Sequence, residues 1–309
     1  MDEAIVGEYE RRQINGRIQR ILHDLGNPEP PLKLADVRQL LSLDLQYYSS
    51  TDPGLIAELT HRFNLLAKRS IPGLGRHLLS ALAKSRLCAF WVPDSARILL
   101  DEAVPQPKHR WIEAHEVAHS FTPWHRQFLL GDSKQSLDPA CHATLEAEAN
   151  YGAGRLLFLQ DQFGREARDL PFDFNSVKAL AQRYTNSIVS TCWRMIEERN
   201  PDQATFGLIS MHPHYDHIGA HDGAHPWRYF VRSQQFRLQF PQVEPSDIYA
   251  LIRRHATRRR TGPIFHAEVV FTDITGNDYD FRLDSFATQH AFMTMGCLIR
   301  IRARLVAVA

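Results

Sequence analysis

The string HEVAH at residues 115–119 constrains the fold of this chain more than any other feature. It lies in a run, 111 to about 122, whose apolar residues recur at the spacing of a helix, and Pro123 is expected to end that helix. Histidines four residues apart project from the same face of a helix and can share one metal ion. Glu116 lies beside them, where a carboxylate can take a proton from the attacking water. The string therefore predicts a hydrolytic metal centre on a helix.

A catalytic zinc site needs a third protein ligand and an open position. The next predicted helix, about 140–158, offers Glu146, and Asn150 follows one turn later, where its amide can hydrogen-bond a metal-bound histidine. Glu148 is the rival ligand, but it diverges from Glu146 by about 200° around a helix, so both cannot readily face one ion. The predicted ligands are His115, His119 and Glu146. The candidates for stabilising an oxyanion are His125, His142 and Tyr151, and the sequence does not choose among them.

Two stretches carry a family resemblance. RILLDEAVPQPKHRWIEAHEVAHS at 97–120 looks like a strand followed by the helix with HExxH, and EAEANYGAGRLL at 146–157 is similar to an ExxAN pattern. Together they resemble the ImmA/IrrE family of gluzincin-type metallopeptidases. The resemblance implies Zn2+ as the cofactor, with Mn2+ or another divalent ion as the alternative. It also implies that the metal is held by His115, His119 and Glu146, with Glu116 as the catalytic base.

The same resemblance implies a partner. Members of the family commonly cleave a helix-turn-helix repressor, which releases genes for stress response or mobile-element transfer. The stretch ALAQRYTNSIVSTCWRMIEE at 179–198 looks like the helix-turn-helix-like pair that often follows the catalytic helices. The sequence departs from the family at 151–154 (YGAG) and 158–159 (FL), so helix packing or the nearby cleft is expected to differ.

The expected fold is α+β: a mainly helical zincin-like metallopeptidase domain with a short β-hairpin or small sheet, then a helix-turn-helix-like pair and a β-rich C-terminal domain. Helical spacing dominates up to about residue 85, whereas short β-rich runs such as 236–240 and 265–271 follow residue 200. The predicted regions are an N-terminal helical region 1–75, the metallopeptidase core 76–165, the helix pair 166–200 and the C-terminal domain 201–309. The last is a candidate sensor domain, by analogy with GAF-like modules in the family.

A second histidine cluster, HPHYDH at 212–217, resembles the HxHxDH motif of metallo-β-lactamase-like hydrolases. Its candidate ligands are His212, His214, Asp216 and His217. That fold needs strand-rich halves around the motif, whereas residues 1–200 are predicted to be mostly helical. A polar loop without metal is therefore favoured, with an accessory metal site and a lactamase-like hydrolase as alternatives.

The formal net charge of +1 argues against attraction of the whole protein to nucleic acid or an anionic membrane. The strongest local positive charge, at 253–260, is interpreted as a solvated face, with contact to nucleic acid as the alternative. No apolar run approaches the roughly 20 residues needed to cross a bilayer, and the acidic N-terminus lacks a secretory pattern. A cytoplasmic peptidase with a protein substrate is expected. The alternative is a regulatory nucleic-acid-binding protein with a structural zinc.

Overall fold

The computed structural model describes residues 6–49, 88–92, 95–129, 139–221 and 224–302. The chain divides into two compact units, Met1–Gln160 and Asp161–Ala309. Both units combine helices with a sheet, so the expected α+β class is confirmed. The finer division into regions 1–75, 76–165, 166–200 and 201–309 stays a prediction. No helix in the described part has both the length and the apolar content needed to cross a membrane.

The first unit contains a small sheet and the helices of the candidate site. Its described elements are α1 (Glu8–Asp24), α2 (Leu34–Leu40), β1 (Asp44–Tyr48), β2 (Ala89–Val92), β3 (Arg97–Asp101), α3 (Gln106–Phe121), α4 (Pro123–Leu129) and α5 (Pro139–Leu157). The strand order is β1-β3-β2, with β1 parallel and β2 antiparallel to β3. The hairpin predicted before the helix with HExxH is therefore confirmed as β2 and β3.

The prediction of helices throughout the first 85 residues is wrong for Asp44–Tyr48, which forms β1. Ser42 has a φ of 54°, in the left-handed region, and turns the chain out of α2. Leu43 continues the helical spacing of apolar residues beyond that turn, so the pattern alone does not reveal it. Pairing with β3 satisfies the backbone of the strand. The rest of the stretch predicted to be helical, from residue 50 to about 85, lies outside the described residues.

Helix α3 ends where the sequence predicts. Thr122, the residue before Pro123, has φ of −100° and ψ of 99°, an extended conformation that proline favours in its predecessor. Helix α5 then packs against α3 at Gly152. A Cβ atom at that position would lie 3.0 Å from the Cβ of Ala118 and 3.5 Å from a methyl of Ile14. The YGAG segment thus permits close approach of α1, α3 and α5.

Replacing Gly152 by valine should push α3 and α5 apart, because even its Cβ would be in tight contact with Ala118. We expect a loss of about 1–3 kcal/mol in the free energy of unfolding, typical of overpacking. The matched control is Gly16→Ala in α1, where an added Cβ meets nothing within 4 Å. That change should stabilise by about 0.5–1 kcal/mol. Denaturant unfolding measures both, and a Gly152→Val protein as stable as the wild type would contradict the packing.

The second unit is built on a five-stranded sheet. Its described elements are α6 (Asp161–Arg168), α7 (Phe174–Tyr184), α8 (Ile188–Glu198), β4 (Thr205–Ser210), β5 (Trp227–Arg232), α9 (Gln234–Gln239), α10 (Pro245–His255), β6 (Gly262–Thr272), β7 (Asp278–Ala287) and β8 (Phe292–Ile301). The strand order is β5-β4-β8-β7-β6, and neighbouring strands are antiparallel. Its buried core includes the aromatic residues Phe206, Phe236, Phe240, Phe271, Phe281 and Phe292.

The β-rich run predicted at 236–240 is wrong, because most of it belongs to helix α9. The side chain of Ser233 accepts a hydrogen bond from the backbone N–H of Phe236 at 3.1 Å and caps the helix. Phe236 and Phe240, four residues apart, are both fully buried. Aromatic residues favour strands in general, but here the spacing of four fits one face of a helix.

The helix pair α7 and α8 forms close to its predicted positions. Helix α7 begins at Phe174, because Asp173 accepts a hydrogen bond from the backbone N–H of Ser176 at 2.8 Å and caps the first turn. Helix α8 is capped by Ser187, whose hydroxyl oxygen accepts a hydrogen bond from the backbone N–H of Ser190. Ile196 of α8 is buried, and its carbonyl accepts a hydrogen bond from the hydroxyl of Thr205 at the start of β4. Helix α8 therefore packs against the sheet of its own unit.

Candidate metal centre

Helices α3 and α5 bring three side chains to one point. The Nε2 atoms of His115 and His119 lie 3.1 Å apart. One carboxylate oxygen of Glu146 lies 3.1 Å from Nε2 of His115, and the other lies 3.6 Å from Nε2 of His119. One ligand atom from each residue lies within 4.8 Å of the others, so the group could hold a metal ion.

The separations are of the size found between ligands of one metal ion. Bonds of about 2.0–2.1 Å to imidazole nitrogen or carboxylate oxygen place neighbouring tetrahedral ligands about 3.3–3.4 Å apart. The two Nε2 atoms lie 3.1 Å apart, and the two different carboxylate oxygens of Glu146 lie 3.1 Å from Nε2 of His115 and 3.6 Å from Nε2 of His119. The side chain of Glu146 is 42% exposed, so the group is open to solvent. Three ligand groups would leave one position of a four-coordinate ion open to water.

Asn150 orients the first histidine. Nδ1–H of His115 donates a hydrogen bond to the amide oxygen of Asn150 at 3.1 Å. A single ring proton on Nδ1 leaves the lone pair of Nε2 available for a metal ion, whereas in the metal-free site a second proton on Nε2 donates to Glu146. The structure thus places Asn150 where the sequence expects it, and its effect on metal binding stays a prediction.

The second histidine is held by a buried chain of contacts that the sequence did not reveal. Nδ1 of His119 lies 2.8 Å from Nδ1 of His125, and Nε2 of His125 lies 2.8 Å from a carboxylate oxygen of Glu148. The indole N–H of Trp124 donates to the same oxygen at 2.6 Å. A carboxylate can only accept a hydrogen bond, so His125 carries its proton on Nε2. Its Nδ1 is then the acceptor of a hydrogen bond from Nδ1–H of His119. Nε2 of His119 is then free to bind a metal.

Glu148, the rival ligand, therefore has a different place. It is only 4% exposed, and its partner His125 is fully buried. Nε2–H of His125 donates a charge-assisted hydrogen bond to the Glu148 carboxylate. Glu146 lies on the Nε2 side of His119, whereas Glu148 reaches the Nδ1 side of that histidine only through His125, in line with their divergence around a helix. One carboxylate meets the metal side of His119, and the other supports its far side.

Glu116 is 7% exposed and lies beside the ligands. Burial raises the pKa of Glu116 to about 7. The charge of His115 and a hydrogen bond with the backbone of Trp91 oppose this rise, whereas the charge of Glu146 adds to it. Because Trp91 belongs to β2, the small sheet adjoins the candidate base. A carboxyl group with a pKa near neutrality can both accept and return a proton around pH 7.

The two imidazoles titrate differently. Burial lowers the pKa of His119 to about 4, and the hydrogen bond to Glu146 only partly opposes it. Burial also lowers the pKa of His115, but contacts with Glu146 and the charge of Glu116 outweigh it and raise the pKa. Burial favours the neutral form of Glu146, yet hydrogen bonds with both imidazoles hold its pKa well below the usual range. Without metal, the site therefore holds its proton mainly on His115.

Zinc binding should release one proton in mildly acidic solution. His119 is already neutral above about pH 5, because its pKa is lowered to about 4, whereas His115 keeps a proton that zinc must displace. Zinc affinity should then fall about tenfold per pH unit below the pKa of His115. Competition with a chelator of known proton affinity, between about pH 5 and 6.5, measures this slope. Glu116, with a pKa of about 7, also holds a proton in this range, so the slope is measured in the Glu116→Gln protein. A slope of two protons per zinc in that protein would show that both imidazoles are charged without metal.

Two predicted oxyanion donors are engaged elsewhere. His125 uses both ring nitrogens in the chain from His119 to Glu148, so it is the wrong choice for this role. The hydroxyl of Tyr151 accepts a hydrogen bond from the amide of Asn15 at 2.9 Å. The side chain of His142 lies outside the described residues.

The second candidate metal cluster predicted from the sequence consists of His212, His214, Asp216 and His217. Nε2–H of His212 donates to the carbonyl of Arg259 at 2.8 Å, and its Nδ1 accepts the backbone N–H of His214 at 3.1 Å. Nε2–H of His214 donates to the carbonyl of Ala256 at 3.1 Å. Both nitrogens of His212 are thus committed to the backbone. In the part of the chain that is described, these side chains do not converge as the α3–α5 group does.

No model of a protein family matches this sequence, and no curated protein matches it. Among solved structures, the chain is similar to that of a Mycobacterium tuberculosis transcriptional regulator, with a TM-score of 0.55 and 13% sequence identity. The likeness covers 93% of this chain and 76% of that chain. At this identity the likeness concerns the fold alone.

Proposed function

We propose that the chain is a zinc-dependent endopeptidase that cleaves a regulatory protein. The observation that carries the proposal is the convergence of His115, His119 and Glu146 beside the buried Glu116. Bound zinc would supply a Lewis acid that also lowers the pKa of water, and Mn2+ or another divalent ion is the alternative occupant. A structural zinc site has four protein ligands as a rule, whereas three converge among the described residues.

The residues of the chain then have separate roles. Glu116 takes a proton from the attacking water and delivers it to the departing amine, for which a pKa of about 7 is suited. Asn150 and His125 bond the Nδ1 atoms of the two histidines, so that both Nε2 atoms face the same point. Glu146 completes the ligand set from α5. Positioning by packed helices rather than loops keeps this geometry precise.

A zincin-like arrangement of the first unit is part of the proposal. It is supported by the order of β2, β3 and α3 along the chain and by the contact of Glu116 with Trp91 in β2. A helix-turn-helix repressor as substrate and a cytoplasmic location follow from the resemblance to ImmA/IrrE proteins. The mycobacterial regulator supports a regulatory setting at the level of fold. The helix-turn-helix-like character of α7–α8 and a GAF-like role for the second sheet are proposed on the same resemblance.

Metal content and peptide cleavage test the proposal together. Wild-type protein should retain one zinc per chain after dialysis, and His119→Ala and Glu146→Ala should lose it. His214→Ala is the matched control and should keep its zinc, because that histidine bonds a backbone carbonyl in the second unit. Incubation with a peptide library, read by mass spectrometry, should reveal new termini that a chelator abolishes and zinc restores. Zinc retained in Glu146→Ala would reject the ligand set, and zinc binding without cleavage would reject the peptidase.

A further inference from the structure

A loop and a basic segment of the second unit are tied together through the backbone. We call residues 211–219 the histidine loop and residues 253–260 the arginine segment. Tyr215 of the histidine loop donates its hydroxyl hydrogen to the carbonyl of Arg258 at 2.7 Å. His212 and His214 donate to two further carbonyls of the arginine segment at 2.8 and 3.1 Å. Three side chains thus fix the backbone of the arginine segment.

The arginine segment is a concentration of uncompensated charge. Its exposed arginines are Arg253, Arg254, Arg258, Arg259 and Arg260. Within the described residues, no carboxylate forms an ion pair with any of them. The guanidinium of Arg260 lies 5.1 Å from the ring centre of Tyr215, a cation–π contact that keeps its charge. Unshielded charges of one sign repel one another, so a counter-charge from outside the chain would stabilise this surface.

Other arginines of the same unit form ion pairs with carboxylates, which neutralise their charge. Arg183 contacts Glu166 at 2.7 Å, and Arg194 contacts Glu198 at 2.8 Å. Both lie on the helix pair α7–α8. Their charges are neutralised locally, whereas those of the arginine segment are not. The arginine segment is therefore the better candidate for an anionic partner.

We propose that the arginine segment, held by the histidine loop, binds the phosphodiester backbone of nucleic acid. Guanidinium groups match phosphate oxygens in paired hydrogen bonds and remain charged at any physiological pH. Between the arginines the segment contains only His255, Ala256 and Thr257, so it lacks the apolar centre that a protein interface needs. A backbone fixed at three carbonyls suits a regular row of phosphates better than a fluid lipid surface. This binding goes beyond the peptidase and does not depend on the metal site.

Fluorescence anisotropy with a labelled duplex of random sequence tests the proposal on the full chain. Affinity should fall steeply with salt from about 50 to 200 mM, with a slope in log K of about 0.9 per phosphate contacted. Arg258→Ala/Arg259→Ala should weaken binding and reduce that slope by about 1.8. The control Arg20→Ala/Arg165→Ala removes the same charge from exposed positions outside the segment and should change neither. Equal effects of the two double variants would overturn the proposal.

Two further proteins separate this proposal from its rivals. Tyr215→Phe keeps every charge but loses the bond to the carbonyl of Arg258, so duplex affinity should drop severalfold. Unchanged affinity would overturn the role of the histidine loop. Glu116→Gln should bind the duplex like wild type, so failure of the peptidase proposal would leave this result intact. Binding to phosphatidylserine vesicles without binding to the duplex would identify a membrane surface and overturn the assignment to nucleic acid.

Discussion

Replacing Glu116 by glutamine is expected to lower kcat/KM for peptide hydrolysis by about 10²–10⁴-fold, the usual contribution of a general base or acid. Zinc should stay bound, because the three ligands are unchanged and the amide has nearly the shape of the carboxylate. The amide cannot accept the proton of the attacking water, so the loss should appear in turnover. The measurement is the rate on the best peptide from the library, together with zinc per chain. Rates equal to wild type would remove Glu116 from the reaction.

The control for this substitution is Glu102→Gln, an exposed carboxylate just before α3, which should leave activity unchanged. A second readout comes from the metal-free protein. Because the pKa of Glu116 is raised from 4.5 to about 7, its contribution to stability falls as pH rises through that interval. The Glu116→Gln protein lacks this loss. Its stability relative to wild type should therefore increase between those pH values and level off above them.

The local half of the candidate site was predictable from spacing. Two histidines four residues apart in an apolar helical pattern must share a face, and Pro123 must end the helix. The choice of Glu146 over Glu148 rested on Asn150 one turn later and on the resemblance to the ExxAN pattern, and their divergence around a helix excluded both from one ion. The structure brings Glu146 to the imidazoles, and Glu148 lies elsewhere. The pairing of the histidines follows from geometry within one helix, whereas the approach of Glu146 from the second helix was predicted by the resemblance.

Most of the missed features depend on contacts distant in sequence; the exception is helix α9, whose cap at Ser233 is local. Asp44–Tyr48 becomes a strand because β3 offers it a parallel partner about fifty residues later. The histidines at 212 and 214 are satisfied by carbonyls more than forty residues away, a pairing that no spacing rule shows. His125 follows Pro123, and the direction of the chain after that proline is set by tertiary packing. The hydrogen bond between His125 and Glu148 could therefore not be derived from the sequence. The periodicity of a sequence indicates which face of a helix or strand a residue occupies, but it does not identify the residue that packs against that face.

The buried chain behind His119 leads to the second large effect. Glu148→Leu should cost about 3–5 kcal/mol in the free energy of unfolding, because the buried donors His125 and Trp124 lose their shared acceptor. Glu148→Gln should cost much less, since an amide oxygen can accept from both donors. Without the acceptor, the proton positions of His125 and His119 are no longer defined. Zinc affinity should therefore fall about 10–100-fold in Glu148→Leu.

Denaturant unfolding of the metal-free protein and zinc competition measure the two effects separately. Glu198→Leu provides the contrast, because it breaks an ion pair with Arg194 in the second unit, where both side chains are largely buried. It should lower stability and leave zinc affinity unchanged. If stability alone explained weak zinc binding, both leucine variants would lose zinc in proportion to their instability. The expected result is that zinc affinity falls only in Glu148→Leu and recovers in Glu148→Gln. That result would show that the side-chain oxygen at position 148, acting through His125, orients the imidazole of His119.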